Sequence, residues 1–341
     1  MTISRRDIIL IGSAALACGC AAQSKSEKTK QPIGQWENAT SLPLALQEIY
    51  PTHHNGRIHQ AGGFTATKGR ISGPTERHMS WQPGGNNWRE EKPLPIARHH
   101  PQLISFKGHL LAIAGFESHA QQSAWIMQKS GWGLYEENDW LDLAELPAPS
   151  GEAVLGITGD GILHLAGGRT PAGESNAGWQ DHSDTDHHFI LDAIESTWRK
   201  AAPCLSKRNS AAGDVINGAL HIVGGRQVGG SNVTTHEVYD NQEDRWRTAA
   251  PMPQAQGGLA AAALNGKLYA FGGEYFGNGG GVYPESWVYD PQIDSWTALT
   301  DMLTPRHGLG AVTFGADIYV IGGAKEASGV NTSNIVERFT P

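Results

Sequence analysis

Gly218-Ala-Leu-His-Ile-Val-Gly224-Gly225 is one of several near-copies of a single segment. The others are Gly56-Arg-Ile-His-Gln-Ala-Gly62-Gly63, Gly161-Ile-Leu-His-Leu-Ala-Gly167-Gly168, Gly266-Lys-Leu-Tyr-Ala-Phe-Gly272-Gly273 and Ala316-Asp-Ile-Tyr-Val-Ile-Gly322-Gly323. A sixth, Gly108-His-Leu-Leu-Ala-Ile-Ala114-Gly115, carries Ala in place of the first paired glycine. That position falls at 62, 114, 167, 224, 272 and 322, and Trp recurs independently at 36, 88, 140, 198, 246 and 296. Two residue types keeping one period of about 50 define a repeat architecture.

Each unit reads as four strands. A run of small and aliphatic residues such as Leu259 to Leu264 suits a crowded inner strand. Asn265-Gly266 suits a tight hairpin, and the paired glycines let the backbone pack where a side chain would obstruct it. An aromatic on the third strand then precedes Trp by seven residues, as in Trp81 to Trp88, Tyr239 to Trp246 and Tyr289 to Trp296. Phe339 lacks such a partner after it, and Trp36 lacks one before it. The N-terminal segment is therefore expected to supply the outer strand of the last unit, which joins the chain ends and removes an open edge.

These residues resemble the kelch repeat over residues 31–341. The resemblance implies an all-β fold: a six-bladed β-propeller, its ring closed by an N-terminal strand that completes the last blade. Residues 1–30 read differently. Ser4-Arg5-Arg6, the apolar run Ile8-Ile9-Leu10-Ile11 through Ala17, and Cys18-Gly19-Cys20-Ala21 form an export signal that resembles a twin-arginine leader. Small residues before Cys18 and Cys20 resemble a bacterial lipoprotein cleavage site, so either cysteine is a candidate for lipidation. Ser24 to Lys30 would then be a tether. The expected location is periplasmic or extracytoplasmic, with membrane contact only through a lipid anchor.

A net charge of −8 and a pI near 6.0 argue against a nucleic-acid partner, because phosphate binding needs a basic footprint. Three cysteines make no disulfide scaffold. Of the 15 histidines, His59, His164 and His221 occupy the position of Tyr269 and Tyr319 in sister units, and read as packing residues.

Counting sixteen residues back from the first paired glycine gives Leu46, Arg98, Gly151, Arg208, Gln256 and Arg306. The next position holds Gln47, His99, Glu152, Asn209, Gly257 and His307. In a kelch-like ring these inner-strand starts converge on one mouth with the loops after the paired glycines, which bring Arg169, Arg226, Glu274 and Tyr275. Five arginines collected there predict a local positive field, suited to carboxylate, sulfate or phosphate; the competing reading of Arg98, Arg208 and Arg306 is inter-blade salt bridging. The third unit carries an extra loop, Trp179-Gln-Asp181-His182-Ser-Asp184-Thr-Asp186-His187-His188, placed to overhang the mouth. Its histidines and carboxylates meet no closed ligand spacing, and no metal or cofactor is assigned.

The residues support a pocket for an acidic carbohydrate. Arg98, His99, Arg169, Arg208, Arg226, Arg306 and Tyr275 are the candidate binding residues, and His307, Glu274 and Glu152 the candidate proton-transfer groups. Exported bacterial six-bladed kelch proteins of the N-acetylneuraminate epimerase (sialic-acid mutarotase) type are similar, which implies an isomerase acting on sugar acids. That family's glutamate near an arginine in a paired-glycine loop is matched by Glu274 but not by an arginine after it in the same loop. The alternative is a non-catalytic propeller that binds a glycan or an acidic peptide. The copper-radical oxidases that share the repeat need seven blades and a Cys–Tyr cofactor, and Cys204 is the lone thiol beyond residue 30.

Overall fold

Six four-stranded antiparallel sheets follow one another along the chain in the computed structural model, which describes residues 33–118, 125–135 and 139–341. Cys18, Cys20 and the rest of the leader lie outside the described residues. The fifth sheet shows the plan: Ala260–Leu264, Lys267–Phe271, Ser286–Asp290 and Ser295–Ala298 pair in sequence order. The sixth is closed by the start of the chain. Gln35–Asn38 lies against Val336–Thr340, and the register sets Trp36 opposite Phe339. The six-bladed propeller and its N-terminal closing strand are as the repeat count predicts.

The repeated residues hold neighbouring blades together. The indole of Trp140 donates to the carbonyl of Lys92 at 3.1 Å, Trp246 to Ala202 at 2.9 Å, and Trp296 to Ala250 at 2.9 Å. Trp36 makes the equivalent bond to Thr300 at 3.0 Å across the closure. These four tryptophans pack their rings between blades with the one donor satisfied, which a polar atom out of water requires.

The second paired glycine provides another link. Its N–H donates to the next blade in every case: Gly63 to Arg98, Gly115 to Ser150, Gly168 to Arg208, Gly225 to Gln256, Gly273 to Arg306, Gly323 to Leu46. The first glycine explains the residue choice. Gly272 has φ +65°, and a Cβ there would sit 2.3 Å from the Arg306 carbonyl oxygen. Ala114 is the exception and holds φ +58° with a side chain.

These bonds also correct the counted register in the third blade. Its inner strand, Val154–Ile157, has four residues where the fourth, fifth and sixth blades have five. The residue equivalent to Arg98 is therefore Ser150, and Gly151 pairs with Arg169 as His99 pairs with Phe116. Glu152 moves one place along, into line with Glu48, His100, Ser210, Gly258 and Gly308. All six have left-handed backbones, φ between +50° and +70°. They form a circle at the throat of the ring: His100 N–H donates to Glu48 O at 3.1 Å, Glu48 to Gly308 at 2.6 Å, Gly308 to Gly258 at 3.0 Å, and Gly258 to Ser210 at 2.9 Å.

Candidate functional site

Above that circle lies a cavity of about 660 Å³, walled by the loops that follow the paired glycines. Two repeat positions supply all of its charged and imidazole side chains but His307, and one aromatic ring. The left-handed circle projects Glu48, His100, Glu152 and Ser210, and the residue after the second glycine provides Phe64, Arg169, Arg226 and Glu274. Gly258 and Gly308 leave the fifth and sixth blades open, which gives His307 access to the space.

The groups form a chain of ion pairs. Arg226 Nη2 is 2.8 Å from Glu274 Oε1, and its Nε donates to Ser210 Oγ at 3.2 Å. Ser210 donates in turn to Glu152, whose Oε1 lies 3.2 Å from Arg169 Nε. The Arg169 guanidinium lies 3.5 Å above the Trp179 ring, and its buried Nη1 has no hydrogen-bond partner among the described residues. The third-blade loop thus does reach the mouth, through Trp179 and the hairpin Arg169–Pro171 with His182–Asp184.

His307 is oriented by its backbone neighbour. Its Nε2 lies 3.0 Å from the Glu326 carbonyl, which can only accept, so the proton is on Nε2. Nδ1 then faces carboxylates, 3.4 Å from Glu274 Oε1 and 3.9 Å from Glu48 Oε1, without a hydrogen bond. Glu274 is fixed by the Ser328 amide at 2.9 Å. Burial pushes the Glu48 carboxyl up, but His100, His307 and Arg226 outweigh it and hold the group at about 2. Glu152 is likewise held below the ordinary carboxylate range, burial being outweighed by Arg169, His100, Arg226 and the Ser210 hydroxyl. Arg226 is raised: the attraction of Glu274, Glu152 and Glu48 exceeds the cost of burial.

Of the residues expected at the mouth, Glu152, Arg169, Arg226, Glu274, Tyr275 and His307 line one cavity. Arg98, Arg208 and Arg306 do not. Each is buried inside its own blade and reaches the carbonyl of the first paired position: Arg98 to Ala114 at 3.0 Å, Arg208 to Gly224 at 3.0 Å, Arg306 to Gly322 at 2.7 Å. Their charges are met by Glu117, Glu237 and Glu337. Gln256 serves Gly272 in the same way at 2.7 Å, so the position caps a strand end and an arginine is one way to do it. His99 is fully buried, stacked 3.8 Å from Phe64 and 5.0 Å from Phe116, and is not part of the lining. The expected positive field is absent as well. Among the described lining residues Glu48, Glu152 and Glu274 face Arg169 and Arg226. Counting back from the glycines missed Glu48, His100 and Ser210, which sit one residue beyond the position counted. Cys204 is buried, and burial pushes its thiol up to about 12, far from a reactive thiolate.

Comparison with known proteins agrees with this architecture. Residues 257–303 match the Kelch motif. A kelch-like protein of Aspergillus terreus, terF, is 26% identical over 236 residues, covering 67% of this chain and 50% of its own. Beta-scruin of Limulus polyphemus is 26% identical over 140 residues, covering 40% of this chain and 15% of its own. The chain thus spans half or less of the length of these curated relatives. Among solved structures, that of YjhT superposes with a TM-score of 0.69 at 14% identity, over 87% of this chain and 95% of the other. At that identity the likeness is one of fold.

Proposed function

We propose that the mouth cavity binds an acidic carbohydrate and exchanges protons with it, as a sugar-acid mutarotase does. The observation that carries the reading is a pair of unused groups in one cavity: the buried Arg169 Nη1, and His307 Nδ1 beside Glu274. Arg169 offers donors to a sugar carboxylate while Trp179, Trp125 and Tyr275 offer flat faces to a pyranose ring. In mutarotation a base takes the proton of the anomeric hydroxyl, whose O–H electron pair becomes the new C=O bond. The ring C–O pair leaves with the ring oxygen, which takes a proton from an acid. Reclosure on the other face reverses both transfers, so no oxidant, metal or cofactor is consumed. Glu274 as base and His307 as acid, in the form that carries a second proton on Nδ1, lie close enough to serve one sugar.

Titration calorimetry with N-acetylneuraminate and its methyl ester tests the binding step. The acid should bind at least about tenfold more tightly than the ester, the difference expected for one charge-assisted bond. Arg169→Ala should abolish that preference. Equal binding of acid and ester by the wild-type protein overturns the reading.

One observation favours the second reading, a binding module without turnover. The loops around the mouth expose Trp179, Val228, Phe276 and Val330, a collar suited to a protein or glycan surface. Binding without anomer exchange would select it. Export is part of the same proposal and rests on Ser4-Arg5-Arg6, the apolar run and Cys18 or Cys20. Mass spectrometry of the native protein should find a diacylglyceryl cysteine as the new N-terminus; an intact Met1 in the cytoplasmic fraction would overturn export.

A further inference from the structure

Glu274 and His307, the base and the acid of the proposed exchange, come from blades five and six. One exposed loop touches both. The blade-six hairpin, Ala324–Glu326 with Val330–Thr332, turns through Ala327–Gly329. Its Ser328 N–H donates to Glu274 Oε2 at 2.9 Å, and its Glu326 carbonyl accepts from His307 Nε2 at 3.0 Å. Both contacts are made by backbone, so no side chain in the sequence announces them.

The loop is anchored on blade one. Asn331 N–H donates to Gly69 O at 2.8 Å and Val330 pairs with Arg70, which adds the hairpin to the blade-one pair Phe64–Thr67 and Arg70–Pro74. Gly329 is buried at this junction, where a Cβ would meet Ile71 Cδ1 at 2.6 Å. The Asn331 side-chain amide donates to the Glu326 carboxylate and closes the turn on itself. Ser328, Gly329 and Asn331 have left-handed backbones, φ +63°, +74° and +61°. Two of the three are not glycine, and strained backbone of this kind persists where its surroundings over-determine it. Here the left-handed turn lets the chain present an amide to Glu274 and still return to blade one two residues later.

We propose that Ser328 is a positioning residue, which acts through its left-handed backbone to set Glu274 against His307 in one geometry. That purpose rests on the proton-exchange reading above. Arg226 grips one oxygen of Glu274 at 2.8 Å, and the Ser328 amide holds the other, so the carboxylate cannot turn about the arginine contact. The Glu326 carbonyl fixes the imidazole from the same loop, so the two groups move together or not at all. Ligand carboxylate is assigned to Arg169, three blades from blade six, and lies outside the reach of this loop. Loss of the loop's geometry therefore acts on the transfer step and spares binding.

The test compares Ser328→Pro, Ser328→Val and Ser328→Gly in the full chain. Proline has no N–H and is fixed near φ of about −65°, so it deletes the bond. Valine keeps the N–H but resists a left-handed backbone, and glycine keeps both. In anomer exchange of N-acetylneuraminate, Ser328→Pro should lower kcat by about ten- to a hundredfold, the effect of a misplacement of about 1 Å, with KM within about threefold. Ser328→Val should fall in the same direction, and Ser328→Gly should stay within about twofold of wild type. A kcat that none of the three changes, a loss that glycine shares, or a loss confined to KM would overturn the role. Solvent exchange of the His307 Nε2 proton, followed by NMR, needs no turnover. It should be slow in wild type and Ser328→Gly and at least about tenfold faster in Ser328→Pro. If wild type gives no anomer exchange, the mutarotase reading fails and this proton decides alone: its release by proline upholds the positioning role, and its protection there overturns it. If Ser328→Pro fails to fold, Ser328→Val carries both comparisons.

Discussion

Lowering the pH from 7.5 to 5.5 should cost this propeller much of its stability through three buried histidine pairs. His59 Nδ1 and His78 Nε2 are 2.9 Å apart, His164 and His188 2.8 Å, and His221 and His236 2.9 Å. In each pair the second ring donates Nδ1–H to a carbonyl, that of Lys92, Ala202 or Ala250, which also accepts the Trp indole of the next blade. The second Nε2 must then accept from the first ring, and a proton on both nitrogens would face itself across the gap. Burial, with the partner imidazole adding to it in His59, His164 and His221, holds those rings at about 3 or 4. His78, His188 and His236 are held at about 4 by burial against the opposing pull of their carbonyls. The unfolded chain, titrating near 6.5, binds more protons than the native one between pH 6.5 and about 4, so stability falls as pH falls through that window. At pH 5.5 each ring costs about 1.4 kcal/mol and the six together about 8 kcal/mol, comparable to the whole stability of a typical domain. His221→Tyr with His236→Ser copies the fifth blade's Tyr269 and Ser286 into the fourth. Thermal melts across pH 7.5 to 4.5 should show this variant losing about one third less, which is about 3 kcal/mol and about 4–5 °C at pH 5.5. Parallel pH curves for variant and wild type would refute the reasoning.

Arg208→Ala should act on folding: it leaves Glu237 buried without its cation and should cost about 3–5 kcal/mol in a denaturant melt. Arg226→Ala takes the cation from the buried Glu274 and should cost about 3–5 kcal/mol in the same melt, while also weakening an acidic ligand by about 1–3 kcal/mol in calorimetry. Ala114→Gly should raise stability by about 0.5–1 kcal/mol, read in the same melts, because it relieves a left-handed alanine. Removing residues 31–45 takes away Trp36 and the strand paired with Val336–Thr340, and should cause aggregation or unfolding that removal of residues 1–30 does not.

The ring was legible in the sequence because its constraints repeat. Trp and the paired glycines do the same job in each blade, so their spacing reports the fold and even its closure at Trp36 and Phe339. The site was legible only in part because it is built from differences between blades. A single residue fewer in Val154–Ile157 slid Glu152 out of its true alignment and hid the left-handed circle that also carries Glu48, His100 and Ser210. Arg208 and Arg306 looked like ligand-binding groups because their counter-ions, Glu237 and Glu337, lie on the third strand. A signal for this was present: both glutamates occupy one repeat position, in two blades that have the arginine. Gln256 takes the arginine's place in the fifth blade, where Trp287 stands at the position of the glutamates.

The most direct test of the account is exchange NMR between the anomers of N-acetylneuraminate, with wild type and His307→Ala at catalytic concentration. The wild-type protein should accelerate exchange well above the spontaneous rate. His307→Ala should lose at least about a hundredfold of that acceleration, the usual worth of a positioned acid, while still binding the sugar in calorimetry. Wild-type exchange no faster than buffer alone would contradict the catalytic claim, and the absence of binding as well would remove the acidic sugar from this cavity.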